Sequence, residues 1–143
     1  MNNALFTSKT CEWSTPQELF DKLNKEFEFT LDPCADDDNH KCDKYYTRQQ
    51  NGLLQSWKNE RVFCNPPYGR AIVDWVQKCF YEVYRGDCEL AVMLLPARTD
   101  TKWFHDYIYK KAEIRFIKGR LKFGGAKQSA PFPSMIVVFK WKS

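Results

Sequence analysis

Apolar side chains recur along this chain with two different periods. Leu19, Phe20, Leu23 and Phe27 follow each other at the three- and four-residue steps of one helix face. Thr15-Pro16-Gln17-Glu18 supplies a start for that helix, with Thr15 as cap, Pro16 at the first helical position and Glu18 at the third. A second helix is predicted over 71–84, with Ile72, Val73, Val76, Cys79, Phe80 and Val83 on one side, ended by Gly86-Asp87. A third is predicted over 101–111, with Trp103, Phe104, Tyr107 and Ile108 inward. Short β-branched and aromatic runs mark strands at 29–31, continuing into Asp32-Pro33-Cys34-Ala35, and at 44–47, 61–64, 90–95, 113–117 and 134–141. The run at 90–95 is uninterruptedly apolar, as in a strand buried on both faces. Residues 120–123 read as an extension of the strand before them, after a bend at Gly119.

Strands alternating with helices after residue 61, closed by a hairpin, predict a mostly parallel sheet covered on both faces, with an antiparallel C-terminal pair. Asn65 stands only 33 positions after Asp32, too few for two complete strand–helix units. The expected fold class is therefore α/β, a trimmed Rossmann-like sheet in a single domain over 1–143, with 1–11 as a polar arm. The remaining segments read as connections: a polar loop at 36–40, a turn with an apolar anchor at 52–57, and a flexible loop from Gly124 to Pro133.

Composition narrows the function classes. With 143 residues, 43% of them hydrophobic, the chain has material for a substantial core. No apolar run approaches the ~18 residues that span a membrane, and the N-terminus lacks the basic start and apolar segment of a signal peptide. Six cysteines without a CxxC pair read as reduced thiols, and the expected location is the cytoplasm. Cys34, His40 and Cys42 do not have the spacing or the fourth partner of a tetrahedral zinc set. The Asp36-Asp37-Asp38 run lacks the glycine and the distal glutamate of an EF-hand loop. No metal site is expected. Charge is unevenly distributed, since residues 101–143 hold ten basic and two acidic side chains. That imbalance is the electrostatic footprint of a nucleic-acid partner.

The most informative stretch is Asn65-Pro66-Pro67-Tyr68, directly after the strand at 61–64. Open α/β sheets place ligands at the C-terminal ends of their strands. Two prolines stiffen the loop and leave its carbonyls free to accept. The Asn65 amide offers an acceptor and a donor, and Tyr68 offers a flat stacking face. Such an array suits a planar amine, for example the exocyclic amino group of adenine.

The tetrapeptide resembles the catalytic motif of amino-group methyltransferases that use S-adenosylmethionine. Trp13-Ser14-Thr15-Pro16, Leu31-Asp32-Pro33-Cys34-Ala35, Leu95-Pro96-Ala97-Arg98-Thr99-Asp100-Thr101 and Gly119-Arg120-Leu121-Lys122-Phe123 join it in an order similar to that of phage DNA N6-adenine methyltransferases. The resemblance runs from about Trp13 to Phe139. It implies that Asn65 and the Pro66 carbonyl accept from the target amine, with Pro67 holding the loop and Tyr68 stacking on a flipped adenine. It implies an S-adenosyl-L-methionine site at Thr15, Pro16, Asp32, Pro33, Ala35 and Asn65, with Asp32 facing the methionine amino group. Asn51 lies where relatives place a polar residue near the cofactor adenine. DNA contacts are expected at Arg98, Lys118, Arg120, Lys122 and Lys127. The chain departs from the wider superfamily in lacking a Gly-x-Gly loop after its first strand. For a phage enzyme of this type, shielding DNA from restriction is the implied purpose.

Two other readings remain open on the sequence. Asn-Pro-Pro-Tyr also serves methyltransferases acting on RNA guanine amines or on protein glutamine. The missing Gly-rich loop leaves room for a DNA-binding module that has lost turnover. Recognition sequence and oligomeric state are not legible.

Overall fold

The computed structural model describes residues 13–124 and 128–141. The polar arm expected at 1–11 lies outside the described residues, as does Lys127. Helix α1 (Gln17–Phe27) precedes strands β1 (Leu31–Ala35) and β2 (Lys44–Thr47), a single 3-10 turn (Gly52–Leu54) and strand β3 (Arg61–Cys64). Helix α2 (Ile72–Tyr84), strand β4 (Leu90–Pro96), a π-helical segment (Phe104–Ile108) and strands β5 (Glu113–Phe116) and β6 (Ser134–Lys140) complete the chain.

The six strands form one sheet in the order β2-β1-β3-β4-β6-β5. β2, β1, β3 and β4 run parallel, whereas β6 is antiparallel to both β4 and β5. This is a mixed α/β, trimmed Rossmann-like fold. The last strand does not simply add to the edge as a hairpin. It enters between β4 and β5, pairing Leu90 through Pro96 with Lys140 through Ser134 on one side and Glu113 through Phe116 with Val138 through Met135 on the other. Its residues 134–139 are all buried, which is the reason a central place suits it better than an edge.

Each face of the sheet is covered. On one, α1 sets Phe20, Leu23 and Phe27 against Phe63, Val92, Leu94, Ile136 and Val138. On the other, α2 and the π-helical segment set Val76, Cys79, Val83, Phe104 and Ile108 against Val62, Cys64, Met93, Val137 and Phe139. The buried side of α2 is rotated from the expected one. Trp75 and Glu82 are buried while Val73 is exposed. Trp75 stacks beside the fully buried Trp57, and that large contact outweighs a single valine in setting the helix face.

Three further expectations are corrected. Thr15 does not cap α1. Pro16 occupies the cap position without a side-chain hydrogen bond, because the Thr15 hydroxyl is used elsewhere. The third helix is shorter than 101–111 and π-wound, with the Tyr109 amide donating to the Phe104 carbonyl five residues back at 2.8 Å. Residues 120–123 do not prolong β5. The chain turns at Gly119, and Gly124 forms an isolated antiparallel bridge with Ser14 instead. Gly124 N–H donates to the Ser14 carbonyl at 2.8 Å, so the segment after β5 is tied to the N-terminal segment rather than to the sheet.

Candidate active site

β1 and β3 pair only at Leu31↔Val62 and then diverge. Beyond that point Pro33 has no N–H to give to a ladder, and β1 is irregular against β2 between Asp32 and Ala35. β2 lies on one side of β1 and β3 on the other, so the chain reverses its direction of travel across the sheet here. A crevice at the C-terminal ends of strands flanking such a reversal is the ligand site of open α/β sheets. In this protein it is a cavity of about 530 Å³, within the range of ligand pockets.

The cavity collects residues from four parts of the sequence. Trp13, Ser14 and Thr15 enter from the segment before α1, and residues 32–36 from the end of β1. Arg48, Asn51 and Leu53 come from beyond β2, and residues 65–68 from the loop after β3. Gly52 is held against β1 so closely that a Cβ there would overlap the Pro33 carbonyl. The Gly52 carbonyl in turn accepts from the Trp57 indole at 3.0 Å. The buried tryptophan is thus the anchor that presses the 3-10 turn onto β1.

Asn65 is the best-determined group in this wall. Its Nδ2 donates to the Trp13 carbonyl at 2.7 Å and to the Thr15 hydroxyl at 3.1 Å. A backbone carbonyl can only accept, so the amide orientation follows from its partner. Oδ1 is then left buried, with no hydrogen-bond partner among the described residues. A buried, unsatisfied carbonyl oxygen beside a cavity is a costly arrangement unless a donor arrives. The next carbonyl, that of Pro66, also receives no hydrogen bond from a described residue. Two neighbouring free acceptors match the two hydrogens of a primary amine.

Tyr68 is placed by a hydrogen bond from its hydroxyl to the Leu94 carbonyl at 3.2 Å. Burial pushes its phenol far above the ordinary tyrosine range, so it stays neutral. Its ring stands nearly parallel to Trp13, and Phe123 and Phe132 meet it edge-on.

Asp32, at 5% exposure, accepts from Lys41 N–H at 2.9 Å and from Cys34 N–H at 3.3 Å. Burial raises its pKa to about 6, and the two backbone donors offset only part of that. A buried carboxylate without a cationic side-chain bond is a good receptor for an ammonium group. After β1 the chain makes a tight turn in which Asp36 and Asn39 exchange backbone hydrogen bonds at 3.2 Å. The Asn39 amide donates to the Ser14 hydroxyl at 2.7 Å and ties that turn to the N-terminal segment.

The structure brings most of the residues singled out in the sequence to this one place. Asn65, Pro66, Pro67, Tyr68, Thr15, Asp32, Pro33, Ala35 and Asn51 line the cavity, whereas Pro16 does not. Asn51 uses Oδ1 to cap Leu53 N–H at 3.2 Å. Arg98 follows β4, and Lys118, Arg120 and Lys122 follow β5. All four are exposed and lie at the same edge of the sheet as the cavity, because Leu95 and Phe116 both pair with Met135. His40 lies on the surface beside β2, where its imidazole stacks on Tyr45 at 3.9 Å and bonds the carbonyl of the buried Cys42. The five cysteines among the described residues are free thiols.

Some site residues were not singled out by sequence reasoning. Arg48 lines the cavity just past β2, the tip from which Rossmann-type sheets reach a ribose. Arg70, exposed and without an ion pair among the described residues, follows Tyr68 by two positions. Arg70 does not line the cavity, but it sets a positive charge beside the tetrapeptide in sequence.

The chain matches, over residues 3–143, the family described as DNA N-6-adenine-methyltransferase (Dam). It belongs to that family. A DNA N-6-adenine-methyltransferase of Escherichia phage T1 is 35% identical over 111 residues, covering 76% of this chain and 45% of that protein. One of Haemophilus phage HP1 (strain HP1c1) is 30% identical over 139 residues, covering 92% of this chain and 79% of that protein. The putative methyltransferase YfdM of Escherichia coli (strain K12) is 42% identical over 65 residues, 40% of this chain. This chain thus spans less than half of the phage T1 relative and about four-fifths of the phage HP1 relative. Membership of the Dam family implies a methyl donor and a DNA substrate. Among the described residues, no helix is long and apolar enough to cross a membrane.

Proposed function

We propose that this chain transfers a methyl group from S-adenosyl-L-methionine to the N6 amine of a flipped adenine in DNA. The observation that carries the reading is the Asn65 amide, fixed by Trp13 and Thr15 with its buried oxygen unpaired among the described residues. When bound, the cofactor supplies an electrophilic methyl group on a sulfonium.

The protein's part is positioning and partial charge stabilisation. Asn65 Oδ1 and the Pro66 carbonyl accept the two amine hydrogens. These bonds draw the nitrogen lone pair out of conjugation with the ring and favour the positive charge that grows on nitrogen as the N–C bond forms and the methyl's bond to sulfur breaks, the electron pair of that bond staying on the sulfur of the departing neutral thioether. The amine then loses one proton to solvent. Tyr68, kept neutral by burial, is a stacking surface and not a base. An adenine inside a duplex cannot bring its amine to Asn65, so the base leaves the stack before reaction. Asp32 holds the cofactor's ammonium group, and Thr15, Pro33 and Ala35 border the same end of the cavity.

Arg70, Arg98, Lys118, Arg120 and Lys122 bind the phosphate backbone along the active edge. Neutralising Lys118, Arg120 and Lys122 together is expected to weaken DNA binding and to flatten the dependence of log K on log salt by up to about 0.9 per lost phosphate contact. A loss with an unchanged salt slope speaks against backbone contact by these side chains.

The deciding experiment is methyl incorporation from labelled S-adenosyl-L-methionine into plasmid DNA free of adenine methylation, followed by nucleoside analysis. N6-methyladenine is expected. Label appearing only in RNA or protein, or bound cofactor without any product, overturns the reading.

A further inference from the structure

The Trp13 ring lies in the cavity wall, nearly parallel to that of Tyr68. The two rings are 19° from parallel with centroids 6.5 Å apart. Near-parallel pairs elsewhere in the protein are His40 on Tyr45, 3.9 Å apart at 7°, and the core pair Trp57 and Trp75, 6.4 Å apart at 22°; Trp13 and Tyr68 differ from the latter in lining the cavity. The Trp13–Tyr68 separation is close to twice the ~3.4 Å thickness of a nucleic-acid base. Phe132 stands edge-on to both rings, at 5.2 Å from Trp13 and 5.6 Å from Tyr68. Phe123 does the same at 5.1 and 6.3 Å. Both Trp13 and Tyr68 line the cavity. The Trp13 carbonyl also receives the Asn65 amide, so the ring and the amine-binding oxygen are positioned by one residue.

We propose that Trp13 is the second wall of the base slot, and that a flipped adenine is clamped between the Trp13 and Tyr68 faces with its amine at Asn65. This rests on the reading of the cavity as a methylation site. The slot selects for a flat aromatic base before any hydrogen bond is made, and it places the amine by restricting the base to one plane. The neighbouring Phe123 and Phe132 close the side of the slot away from solvent. The Trp13 ring thus acts on the nucleic acid rather than on the cofactor.

The test compares Trp13→Ala and Trp13→Phe with the unchanged chain. Both variants keep the residue 13 carbonyl that holds Asn65. Stacking of a base on an aromatic side chain is worth roughly ten- to a hundredfold in binding. Trp13→Ala is therefore expected to raise KM for unmethylated plasmid DNA about ten- to a hundredfold, with the affinity for S-adenosyl-L-methionine unchanged and thermal unfolding still cooperative. Trp13→Phe is expected to recover most of the loss. A duplex carrying 2-aminopurine at the methylated adenine, located by sequencing the product, should show brighter emission when bound to Trp13→Ala than to the unchanged chain, because one quenching face is gone.

Unchanged kinetics with DNA, or a loss confined to cofactor affinity, overturns the assignment while leaving the methylation reading intact. A Trp13→Phe protein that folds but is as impaired as Trp13→Ala overturns it too. Should the unchanged chain form no N6-methyladenine at all, the methylation reading falls and the assignment falls with it.

Discussion

Asn65→Ala is expected to reduce methyl transfer by about a hundred- to a thousandfold or more, the range seen when a single preorganised polar group is taken from a site of developing charge. The effect should fall on kcat, because the bonds made by Asn65 Oδ1 strengthen as the amine nitrogen becomes positive. Binding of S-adenosyl-L-methionine should change little, while the unfolding temperature should drop by a few degrees, because the buried Thr15 hydroxyl and the Trp13 carbonyl lose their donor. The substitution removes an oxygen that has no partner among the described residues, so the folded state loses no hydrogen bond there. It does release the Trp13 carbonyl and the Thr15 hydroxyl from the Asn65 amide. Asn65→Asp separates the two roles. It keeps an acceptor of the same size, but sets a carboxylate against the Trp13 carbonyl, which cannot donate. Single-turnover methyl transfer measures the outcome. Activity of Asn65→Ala within about threefold of the unchanged chain contradicts the assigned mechanism.

Asp32→Asn should weaken cofactor binding by about 30-fold or more, the usual consequence of removing one partner from a buried charge pair. The pH dependence gives a second handle. Burial raises the Asp32 pKa from 3.8 to about 6 in the cofactor-free protein. For a group raised on folding, the contribution to stability is fully present below the unfolded pKa and is lost as pH rises through the folded one. Asp32 therefore disfavours the cofactor-free fold increasingly as pH climbs through about 6. An ammonium group beside it reverses the preference, because it stabilises the carboxylate. Affinity for S-adenosyl-L-methionine should accordingly decline as pH is lowered through about 6, and binding near that pH should release protons. Calorimetric titrations between about pH 5 and 8 follow both effects. In Asp32→Asn the pH dependence should flatten. A variant with the affinity and pH profile of the unchanged chain removes Asp32 from the cofactor site.

Much of this architecture was readable because it depends on local periodicity. The apolar run from Leu90 is buried throughout and lies in the middle of the sheet, as an uninterrupted hydrophobic strand demands. The α1 stripe of Phe20, Leu23 and Phe27 is buried as its spacing predicts. The Asn65-Pro66-Pro67-Tyr68 loop sits at the C-terminal end of a buried strand, because a β-branched and aromatic run followed by two prolines can continue as neither strand nor helix. The short interval between Asp32 and Asn65 correctly announced a sheet with fewer strand–helix units.

Other features were hidden for an equally physical reason, since they depend on residues far apart in the chain. Thr15 carries the local signature of a helix cap, yet its hydroxyl goes to Asn65, 50 positions away. A single strong tertiary hydrogen bond in a buried place outweighs a cap that Pro16 can fill without one. Val73 and Trp75 both suit the inner face of α2 by type. Only the presence of Trp57 underneath decides for Trp75. Residues 120–123 have strand composition, but the chain turns away at Gly119 and packs against the N-terminal segment, with Phe123 edge-on to Trp13 and Gly124 N–H bonded to the Ser14 carbonyl.

The sequence by itself determined the class of the fold, the proline-stiffened loop at the end of β3 and the basic character of the C-terminal third. These follow from side-chain period, proline stereochemistry and charge, which act over a few residues. Tertiary structure decided that β6 enters between β4 and β5 and that the Trp13 ring faces Tyr68. It also decided that the Asn65 oxygen is buried without a partner among the described residues. Those outcomes depend on which surfaces meet when the chain closes, and no local pattern encodes the partner.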